Sequence, residues 1–435
     1  MRSLLWRLAA AGSLLALVAC GSNAPGTPDA VSAPTPASTP PPPPNVVLVL
    51  ADDLGYGDLS VYGNTDVRMP ALDRLATEGM RFTSLYTPAS VCQPSRAALM
   101  TGRYPGRTGV LWNSAPPLSH AELTIADLLR ARGYRTAAVG KWHLGYDTPD
   151  MPVHYGFDSF SGVVQGSSTN TEWIRGDERT GEYVSLGAMG GRITREAVEL
   201  VRNHPGDKPL FLYVGQRLPH EPYLPSAQFD GASRAGVYGD VLEELDSGVG
   251  ELLKAIQESK LAGNTLFLFL SDNGPSGLGS PGPLSGGKSS AREGGVRLPA
   301  IAWRPGRIPA GRVVDEITTT MDVVPTLVAL AGGTVPSDRA YDGMDISGLL
   351  EGRVDRLPGG GIDGRRELLF YLPAYDARGN VLLNPAAIRS GRWKYHNWTR
   401  ALHDLDVDLN ESVDVARLHP EVAARLASRL FEIGP

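Results

Sequence analysis

The chain has 435 residues, of which 42% are hydrophobic and 20% charged, which suits a globular protein with one large domain or two to three smaller ones. Its formal net charge of −6 and pI near 5.8 exclude a strongly basic surface. We therefore expect no nucleic acid partner, because phosphate binding needs a concentrated cationic face.

Residues 1–20 are predicted to be a lipoprotein signal peptide. Two arginines precede an apolar stretch over residues 8–19, which is shorter than the roughly 20 apolar residues of a transmembrane helix. The stretch ends in LVACG, which is typical of a bacterial lipobox with lipid on Cys20; an ordinary signal peptide with an incidental cysteine is the alternative. We expect an exported bacterial lipoprotein in the periplasm or at the outer membrane or cell surface, attached to the membrane through Cys20.

Residues 21–45 are predicted to be a Pro-rich tether. Nine prolines fall within residues 23–45, which have few large apolar side chains and so cannot collapse into a core. The sequence has two cysteines, Cys20 and Cys92, and therefore no disulfide framework is expected. Cys92 is left as a lone thiol, for which a buried hydrophobic cysteine is the simplest interpretation.

From residue 45 onward, short apolar runs alternate with helical patterns. Runs this apolar are typical of strands buried on both faces, and their alternation with helices predicts an α/β sheet with helices on both sides. Proline in a first turn and glycine after a last turn mark the helix ends. The predicted strands are Val46–Leu50, Thr136–Val139, Leu210–Val214, Thr265–Leu270 and Val296–Ala302, and the predicted helices are Pro70–Glu78, Thr124–Arg132 and Val237–Glu258.

The pattern changes after about Gly333, where the predicted elements become shorter. These elements are Glu367–Tyr371, Ala386–Arg389, Trp393–His396 and a final helix near Pro420–Phe431. The sequence therefore predicts a main domain over residues 46–333 and a small α+β subdomain over residues 334–435.

Two predicted strands end in acidic or amide side chains. Asp52 and Asp53 follow the first strand, and Asp272 and Asn273 follow the strand Thr265–Leu270. Ligands of open α/β sheets bind at the carboxyl ends of the strands, so these side chains are expected to converge. An all-oxygen set favours calcium or magnesium over zinc, and a hard cation relieves the repulsion between carboxylates; Asp-rich turns without a metal are the alternative.

Cys92 begins the segment CQPSRAALMTGR. Pro94 suits a first helical turn and Gly102 a helix end, so Cys92 is expected at a helix N-terminus, where free N–H groups favour an anion. An ordinary low-pKa thiolate nucleophile would suit this position equally well.

The segment beginning at Cys92 resembles the signature of the type I sulfatases, in which a separate maturation enzyme oxidises the cysteine to formylglycine. The motif order resembles the branch of arylsulfatase A and N-acetylgalactosamine-6-sulfatase, from about Asn45 to the C-terminal helix, and includes GKWHLG at 140–145, PH at 219–220, SDNG at 271–274 and GGK at 286–288. The resemblance implies an alkaline-phosphatase-like sulfatase fold, with a large mixed central sheet and a catalytic domain over residues 46–333.

The resemblance also implies roles for individual residues. The expected calcium ligands are Asp52, Asp53, Asp272, Asn273 and formylglycine at position 92. A hydroxyl of the hydrated formylglycine would attack sulfur, and elimination would then release sulfate. Lys141 and Lys288 would hold the sulfate oxygens, Arg96 would stabilise formylglycine, His143 would be the base for elimination, and His220 and Asp272 compete as acid for the leaving group.

The substrate class is expected to be a sulfate monoester of an aryl or carbohydrate alcohol. The alternatives are a phosphonate monoester or phosphodiester hydrolase of the same superfamily and a lipoprotein that binds sulfated glycans without turnover. Arg292 stands where relatives often have an aromatic residue, and the stretch 146–191, with Trp173 and Arg175, is interpreted as a variable rim. His154, Tyr223, His396 and Trp398 are further pocket candidates.

Overall fold

The computed structural model describes residues 42–165, 170–372, 374–375, 381–382 and 385–432. The predicted signal peptide, Cys20 and nearly all of the tether lie outside the described residues, so the lipid attachment stays a prediction. Residues 43–435 form one compact unit. No helix within the described ranges combines the length and hydropathy needed to cross a bilayer.

The centre of the protein is a large mixed sheet, which confirms the predicted α/β class. Within the described residues it has eleven strands, in the order β10-β2-β9-β8-β1-β7-β3-β4-β5-β6, with β11 paired to β2. The strands are β1 (Asn45–Asp52), β2 (Met80–Tyr86), β3 (Arg135–Lys141), β4 (Ser159–Val163), β5 (Asn170–Arg175), β6 (Glu178–Ser185), β7 (Leu210–Pro219), β8 (Thr265–Ser271), β9 (Arg297–Trp303), β10 (Arg312–Val314) and β11 (Thr318–Thr319).

The middle of this sheet is parallel. Strand β1 pairs in parallel with both β7 and β8, and β3 pairs in parallel with β7 and β4. Strand β9 runs antiparallel to β8 and β2. The carboxyl ends of β1, β3, β7 and β8 therefore meet at one edge, where ligands of α/β sheets bind.

Helices cover both faces of the sheet. Alternate residues of β1 point to opposite sides, as strand geometry requires: Leu48 packs with α2, α4 and α8, and Val49 packs with α1, α5 and α6. The helices are α1 (Pro70–Glu78), α2 (Cys92–Thr101), α3 (Pro105–Thr108), α4 (Ile125–Arg130), α5 (Leu186–Arg202), α6 (Gly236–Glu258), α7 (Glu293–Val296), α8 (Val323–Leu330), α9 (Ser347–Leu350) and α10 (Pro420–Glu432), and short 3-10 turns lie at Ser60–Tyr62, Thr148–Asp150, Pro152–His154, Thr320–Asp322 and Ile362–Gly364.

A second, antiparallel sheet forms toward the C-terminus. Among the described strands its order is β12 (Glu367–Tyr371), β15 (Pro385–Ser390), β16 (Trp393–His396) and β17 (Leu402–Asp404), and β13 (Ala374–Tyr375) pairs with β14 (Val381–Leu382). One face packs on α10 through Leu426 and Leu430, and Phe370 on the other face packs against Tyr86 of β2. The domain limit at residue 333 stays a prediction.

Several predicted boundaries differ from the observed ones, and the largest difference is at β7, which continues past the predicted end at Val214 to Pro219. The predicted helix Thr124–Arg132 is shorter: the Thr124 hydroxyl caps α4 from outside by accepting a hydrogen bond from Asp127 N–H, and α4 ends at Arg130. The strand predicted from Val296 begins one residue later, because Val296 ends the single turn of α7.

Candidate active site

The site begins where β1 and β8 end side by side. Ala51 pairs with Ser271, so the residues that follow each strand meet directly. Asp53 N–H donates to Asp272 Oδ1 at 3.0 Å, and Asn273 Nδ2 donates to Asp53 Oδ1 at 2.8 Å. Asp53 has a φ of 64°, a conformation that turns its side chain back over the strand ends. The predicted convergence of the two acidic strand ends is confirmed.

Cys92 lies at the N-terminus of α2 and faces this acidic cluster. It is 1% exposed, and its Sγ is 3.6 Å from Asp52 Oδ1 and 3.6 Å from Asp53 Oδ1. The preceding residue, Val91, is extended, so α2 starts at Cys92 itself. The helix position predicted from Pro94 and Gly102 is therefore correct.

Arg96 lies one helical turn after Cys92 and is fully buried. Its Nε and Nη2 donate to Asp272 Oδ2 at 3.0 and 2.8 Å, and Nη2 also donates to Asp52 Oδ1 at 3.1 Å. Nη1 donates to the hydroxyl of Tyr213 on β7 at 3.1 Å. The Arg96 guanidinium therefore joins the ends of β1 and β8 to α2, and it fixes the orientation of the Asp52 and Asp272 carboxylates.

Two lysines approach the cluster from different sides. Lys141, the last residue of β3, donates to Asp52 Oδ1 at 2.9 Å and Oδ2 at 2.7 Å. Lys288 donates to Asp53 Oδ2 at 2.7 Å, and Ser276 Oγ donates to the same oxygen at 2.9 Å. Both ammonium groups therefore lie within the reach of a sulfur or phosphorus oxyanion placed beside Cys92.

The position of Lys141 depends on a close approach of β3 and β7. Gly140 has a φ of 93°, and a Cβ at this position would lie 2.2 Å from the carbonyl oxygen of Gly215. Gly215 in turn is packed against the carbonyl of Lys141. Glycine at both positions lets the two strands bring Lys141 to the carboxyl edge of the sheet.

The two predicted histidines occupy different settings. His220 Nδ1 donates to Glu221 C=O at 2.5 Å, which leaves Nε2 directed at the cluster, 3.5 Å from Asp53 Oδ2. His143 is 6% exposed, and its Nδ1 is buried with no hydrogen-bond partner among the described residues. Burial, followed by the charges of Lys141 and Arg96, lowers the pKa of His143 well below its usual value, so the ring is neutral at neutral pH.

The charges around Cys92 do not favour a thiolate. Burial and then the carboxylate of Asp272 raise the pKa of the Cys92 thiol well above its usual value, against the opposing effect of Lys141. Burial would also raise the pKa of Asp52, but Lys141 and other cations lower it well below its usual value. The arrangement is a neutral thiol beside the ionised carboxylate of Asp52, which disfavours the ordinary thiolate nucleophile left open by the sequence.

The residues present fit a hard cation. Asn273 Oδ1 is buried and accepts no hydrogen bond from any part of the chain that the structure describes, so its capacity as an acceptor is unused. Carboxylate and amide oxygens are the ligands that calcium and magnesium prefer. The four groups whose donor atoms lie within 4.8 Å of one another are Asp52, Asp53, Cys92 and His220.

Asp272 lies beside this compact group, not within it. Its Oδ1 accepts Asp53 N–H, and its Oδ2 accepts from both Nε and Nη2 of Arg96, which leaves one lone pair, on Oδ1. Asp272 thus has capacity left for a ligand, but its first role in the structure is to orient Arg96. Its place among the calcium ligands stays a prediction.

The structure brings all the predicted site residues together, from six separate segments of the chain. These residues are Asp52, Asp53, Cys92, Arg96, Lys141, His143, His220, Asp272, Asn273 and Lys288. The sequence reasoning missed Tyr213 and Ser276, which contact Arg96 and Asp53. Tyr213 is hidden in an apolar strand, and Ser276 follows SDNG by only two residues, which is the signal that was available.

One weaker prediction about the rim is wrong. Trp173 is 0% exposed, lies under the Arg192 guanidinium and donates to Ser161 Oγ, so it is a core residue. Arg175 is paired with Glu196, and His154 lies 3.4 Å from Asp177; their places at the rim and in the pocket stay predictions.

The remaining pocket candidates occupy three settings. Of these, Tyr223 lies near the cluster, where its hydroxyl donates to Ser276 C=O at 3.1 Å. His396 contacts Glu411, and Trp398 is 54% exposed.

Known proteins share both the sequence pattern and the fold. The protein-family profile described as Sulfatase matches residues 44–333. The N-acetylgalactosamine-6-sulfatase of Canis lupus familiaris is 36% identical over 431 residues, which cover 91% of this chain and 76% of that protein. Arylsulfatase A of Homo sapiens is 38% identical over 395 residues, with 82% and 75% covered. The crystal structure of Ps i-CgsB in complex with k-i-k-neocarrahexaose matches with a TM-score of 0.79 and 27% identity, over 89% of this chain and 92% of that chain.

Proposed function

Since the chain belongs to the sulfatase family and is a sulfuric ester hydrolase, we propose that it is a calcium-dependent enzyme that uses formylglycine made from Cys92. The observation that carries this proposal is the position of Cys92 Sγ, 3.6 Å from both Asp52 and Asp53 and flanked by two lysines. The fold is the alkaline-phosphatase-like sulfatase fold that the sequence predicted.

Formylglycine would arise by oxidation of the Cys92 thiol by two electrons and replacement of sulfur by the oxygen of water. A separate maturation enzyme with its own electron acceptor would carry out this step. Hydrated formylglycine supplies a hydroxyl nucleophile for sulfur at the position of Cys92 Sγ. The high pKa of the thiol supports the proposal, because a neutral thiol is a poor nucleophile.

Calcium would be bound by Asp52, Asp53, Asn273 and a remaining lone pair of Asp272, and it would supply Lewis acidity next to residue 92. The three carboxylates are already matched by three cations: Arg96, Lys141 and Lys288. A divalent cation therefore leaves net positive charge in the cluster, which suits the negative sulfate ester.

Lys141 and Lys288 would bind the non-bridging oxygens of the sulfate. Both side chains are largely buried, and the acidic groups around Lys288 raise its pKa above its usual value despite burial, so it stays charged. Fixed cations in a site with little water stabilise charge that develops in the transition state.

We assign His220 as the acid for the leaving alcohol. Its Nε2 reaches the edge of the cluster and its side chain is 19% exposed, whereas Asp272 is fully buried and bound to Arg96. A leaving group must enter and depart through the open side of the site. His143, neutral and with an unpartnered Nδ1, would accept the proton when sulfate is released.

The substrate class would be a carbohydrate or aryl sulfate. The curated relatives include N-acetylgalactosamine-6-sulfatase and arylsulfatase A, and the solved structure of Ps i-CgsB contains k-i-k-neocarrahexaose.

We also propose that the protein is an exported lipoprotein anchored through Cys20. Cys20→Ser expressed in a Gram-negative host should move the protein from the membrane fraction to the soluble fraction, and unchanged membrane association would contradict the anchor.

Three measurements test the catalytic proposal. The protein from its native host, or coexpressed with a maturation enzyme, should carry an aldehyde at position 92 by peptide mass spectrometry, and Cys92→Ala should abolish turnover. Side-by-side kcat/KM values on an aryl sulfate and an aryl phosphonate monoester should favour the sulfate. A larger value on the phosphonate would replace sulfatase by phosphonate hydrolase, and an unmodified, inactive Cys92 protein from the native host would favour a binding protein.

A further inference from the structure

A buried glutamate from the C-terminal part of the chain contacts the loop that carries Lys288. Glu411 is 1% exposed, its Oε2 accepts Glu293 N–H at 2.6 Å, and its backbone carbonyl accepts Arg292 Nη1 at 3.3 Å. Its Oε1 accepts His396 Nε2 at 2.6 Å and lies 3.4 Å from Lys394 Nζ. Glu411 therefore connects strand β16 of the C-terminal sheet to the segment that ends this loop.

Glu293 receives a second contact from the same sheet. Lys394 Nζ is 0% exposed and donates to Glu293 Oε1 at 2.8 Å, while Tyr86 of β2 donates to Glu293 Oε2 at 2.6 Å. Lys394 also holds the pKa of Glu411 to about 2, although burial alone would raise it. The charges are thus paired, and paired charges in a low-dielectric interior fix the geometry of their partners.

We call residues 285–292 the Lys288 loop. Gly294 N–H donates to Ser285 C=O at 2.7 Å and closes the loop at its base. Near the tip, Lys288 N–H donates to Pro275 C=O at 2.8 Å and Ser289 N–H to Ser90 C=O at 2.8 Å. These contacts fix the position of the loop tip. The C-terminal end of the loop is fixed at Arg292 and Glu293, the two residues that Glu411 contacts.

We propose that Glu411 is a positioning residue for Lys288. By fixing Arg292 and Glu293, Glu411 holds the loop where the Lys288 ammonium group reaches Asp53 and the sulfate position. The proposal rests on the sulfate-binding role of Lys288 given above. The competing possibility is that Glu411 only attaches the C-terminal sheet and has no effect on the loop.

A double-mutant cycle separates these two possibilities. Glu411→Gln should lower kcat/KM on an aryl sulfate by about tenfold to a hundredfold, because small displacements of a positioning group are costly in rate. In the Lys288→Ala background the same change should cost less than about threefold, since the residue through which it acts is gone. An equal loss in both backgrounds, or wild-type activity in Glu411→Gln, would overturn the proposal.

Glu367→Gln is the matched control. Glu367 begins β12 of the same sheet and binds Arg429 of α10 at 2.9 Å, and within the described residues its side chain has no hydrogen bond or ion pair to the Lys288 loop. Glu367→Gln should change kcat/KM by less than about twofold. If it lowers activity as much as Glu411→Gln, the effect belongs to the sheet as a whole and the proposal fails.

Hydrogen exchange gives a readout that does not need sulfatase activity. Glu411→Gln should speed exchange of the Lys288 and Ser289 amides, while Glu367→Gln should not; unchanged exchange in Glu411→Gln contradicts the proposal. If Glu411→Gln shows this faster exchange but the wild-type protein has no sulfatase activity, the proposed function is contradicted and the positioning role of Glu411 in the loop is not. If Glu411→Gln does not fold, Arg292→Ala removes an exposed partner of Glu411 and Ser285 and should show both effects more weakly.

Discussion

The ammonium nitrogen of Lys288 lies 2.7 Å from Oδ2 of Asp53, although 235 positions separate the two residues in the chain. Asp53 is thus shared between a cation of the protein and the proposed calcium ion. A sulfate oxygen bound by Lys288 would therefore lie beside the proposed metal ligands.

Lys288→Ala should lower kcat/KM on an aryl sulfate by roughly a hundredfold to a thousandfold, as expected for the loss of one charged donor to the transition state. Lys260→Ala is the control, because Lys260 contacts only the carbonyl of Pro205 at the surface among the bonds described. Activity of Lys288→Ala within about threefold of the wild type would remove Lys288 from the site.

Calcium should raise the Tm of the protein, and a chelator should lower both the Tm and the activity, because a ligand bound only by the folded state stabilises it.

Asn273→Ala removes a buried oxygen that has no partner among the described residues, and it should weaken calcium binding measured by calorimetry on the unmodified Cys92 protein. Asn203→Ala is the control and should not weaken calcium binding, because Asn203 is exposed at the end of α5. Equal calcium affinity in Asn273→Ala would exclude Asn273 from the ligand set.

The pH dependence of kcat should reflect His143. Because the pKa of His143 is lowered, its neutral, proton-accepting form persists below pH 6.5, and kcat should decline only at more acidic pH. His143→Ala should lower kcat and remove this acidic limb, which a pH profile measured from acidic to neutral pH would detect. If the decline of kcat at acidic pH persists in His143→Ala, another titrating group causes it.

Glu411 should also contribute to stability in a pH-dependent way. Its pKa is about 2 in the folded protein and about 4.5 in the unfolded chain, so its stabilising effect is present above pH 4.5 and is lost as pH falls toward 2. Glu411→Gln should cost about 3–5 kcal/mol near neutral pH, as for a broken buried ion pair. Urea unfolding at several pH values should show this difference shrinking below pH 4.5, and a constant difference would contradict the assignment.

Gly140→Ala should destabilise the fold by about 3 kcal/mol or more, because its Cβ meets a backbone oxygen at 2.2 Å in addition to the strained positive φ. Gly133→Ala, with a φ of 85° and open space around the Cβ position, isolates the backbone strain and should cost about 1–2 kcal/mol. Similar losses of unfolding free energy in both variants would mean that β3 and β7 can separate.

The central strands and the site were predictable because their signals are local. Helix Pro70–Glu78 and strand Glu367–Tyr371 have the predicted bounds, and the acidic residues that follow β1 and β8 had to meet once those strands were parallel neighbours. The inclusion of His220 in the compact donor group was not predictable, since it depends on the path of the chain after β7, which brings His220 Nε2 within 3.5 Å of Asp53 Oδ2.

Helix α5 was missed for a physical reason. Its first turns contain Gly190 and Gly191, and glycine in a helix interior is unfavourable by about 1 kcal/mol, so the local pattern does not indicate a helix. The structure needs small residues here: a Cβ on Gly190 would lie 2.7 Å from Leu218 Cδ1 of β7. Packing between α5 and the sheet therefore overrides local propensity, and that packing is not visible in the sequence of the helix.

The network around Asp53 has a consequence for how the protein folds. Four of its hydrogen-bond partners lie 219, 220, 223 and 235 positions away along the chain, so these bonds form only when the segment from Asp272 to Lys288 has joined the central sheet. Contacts of such high sequence separation form late and make folding slow. A nascent chain that ends before Asp272 would therefore lack a complete site for the proposed calcium ion.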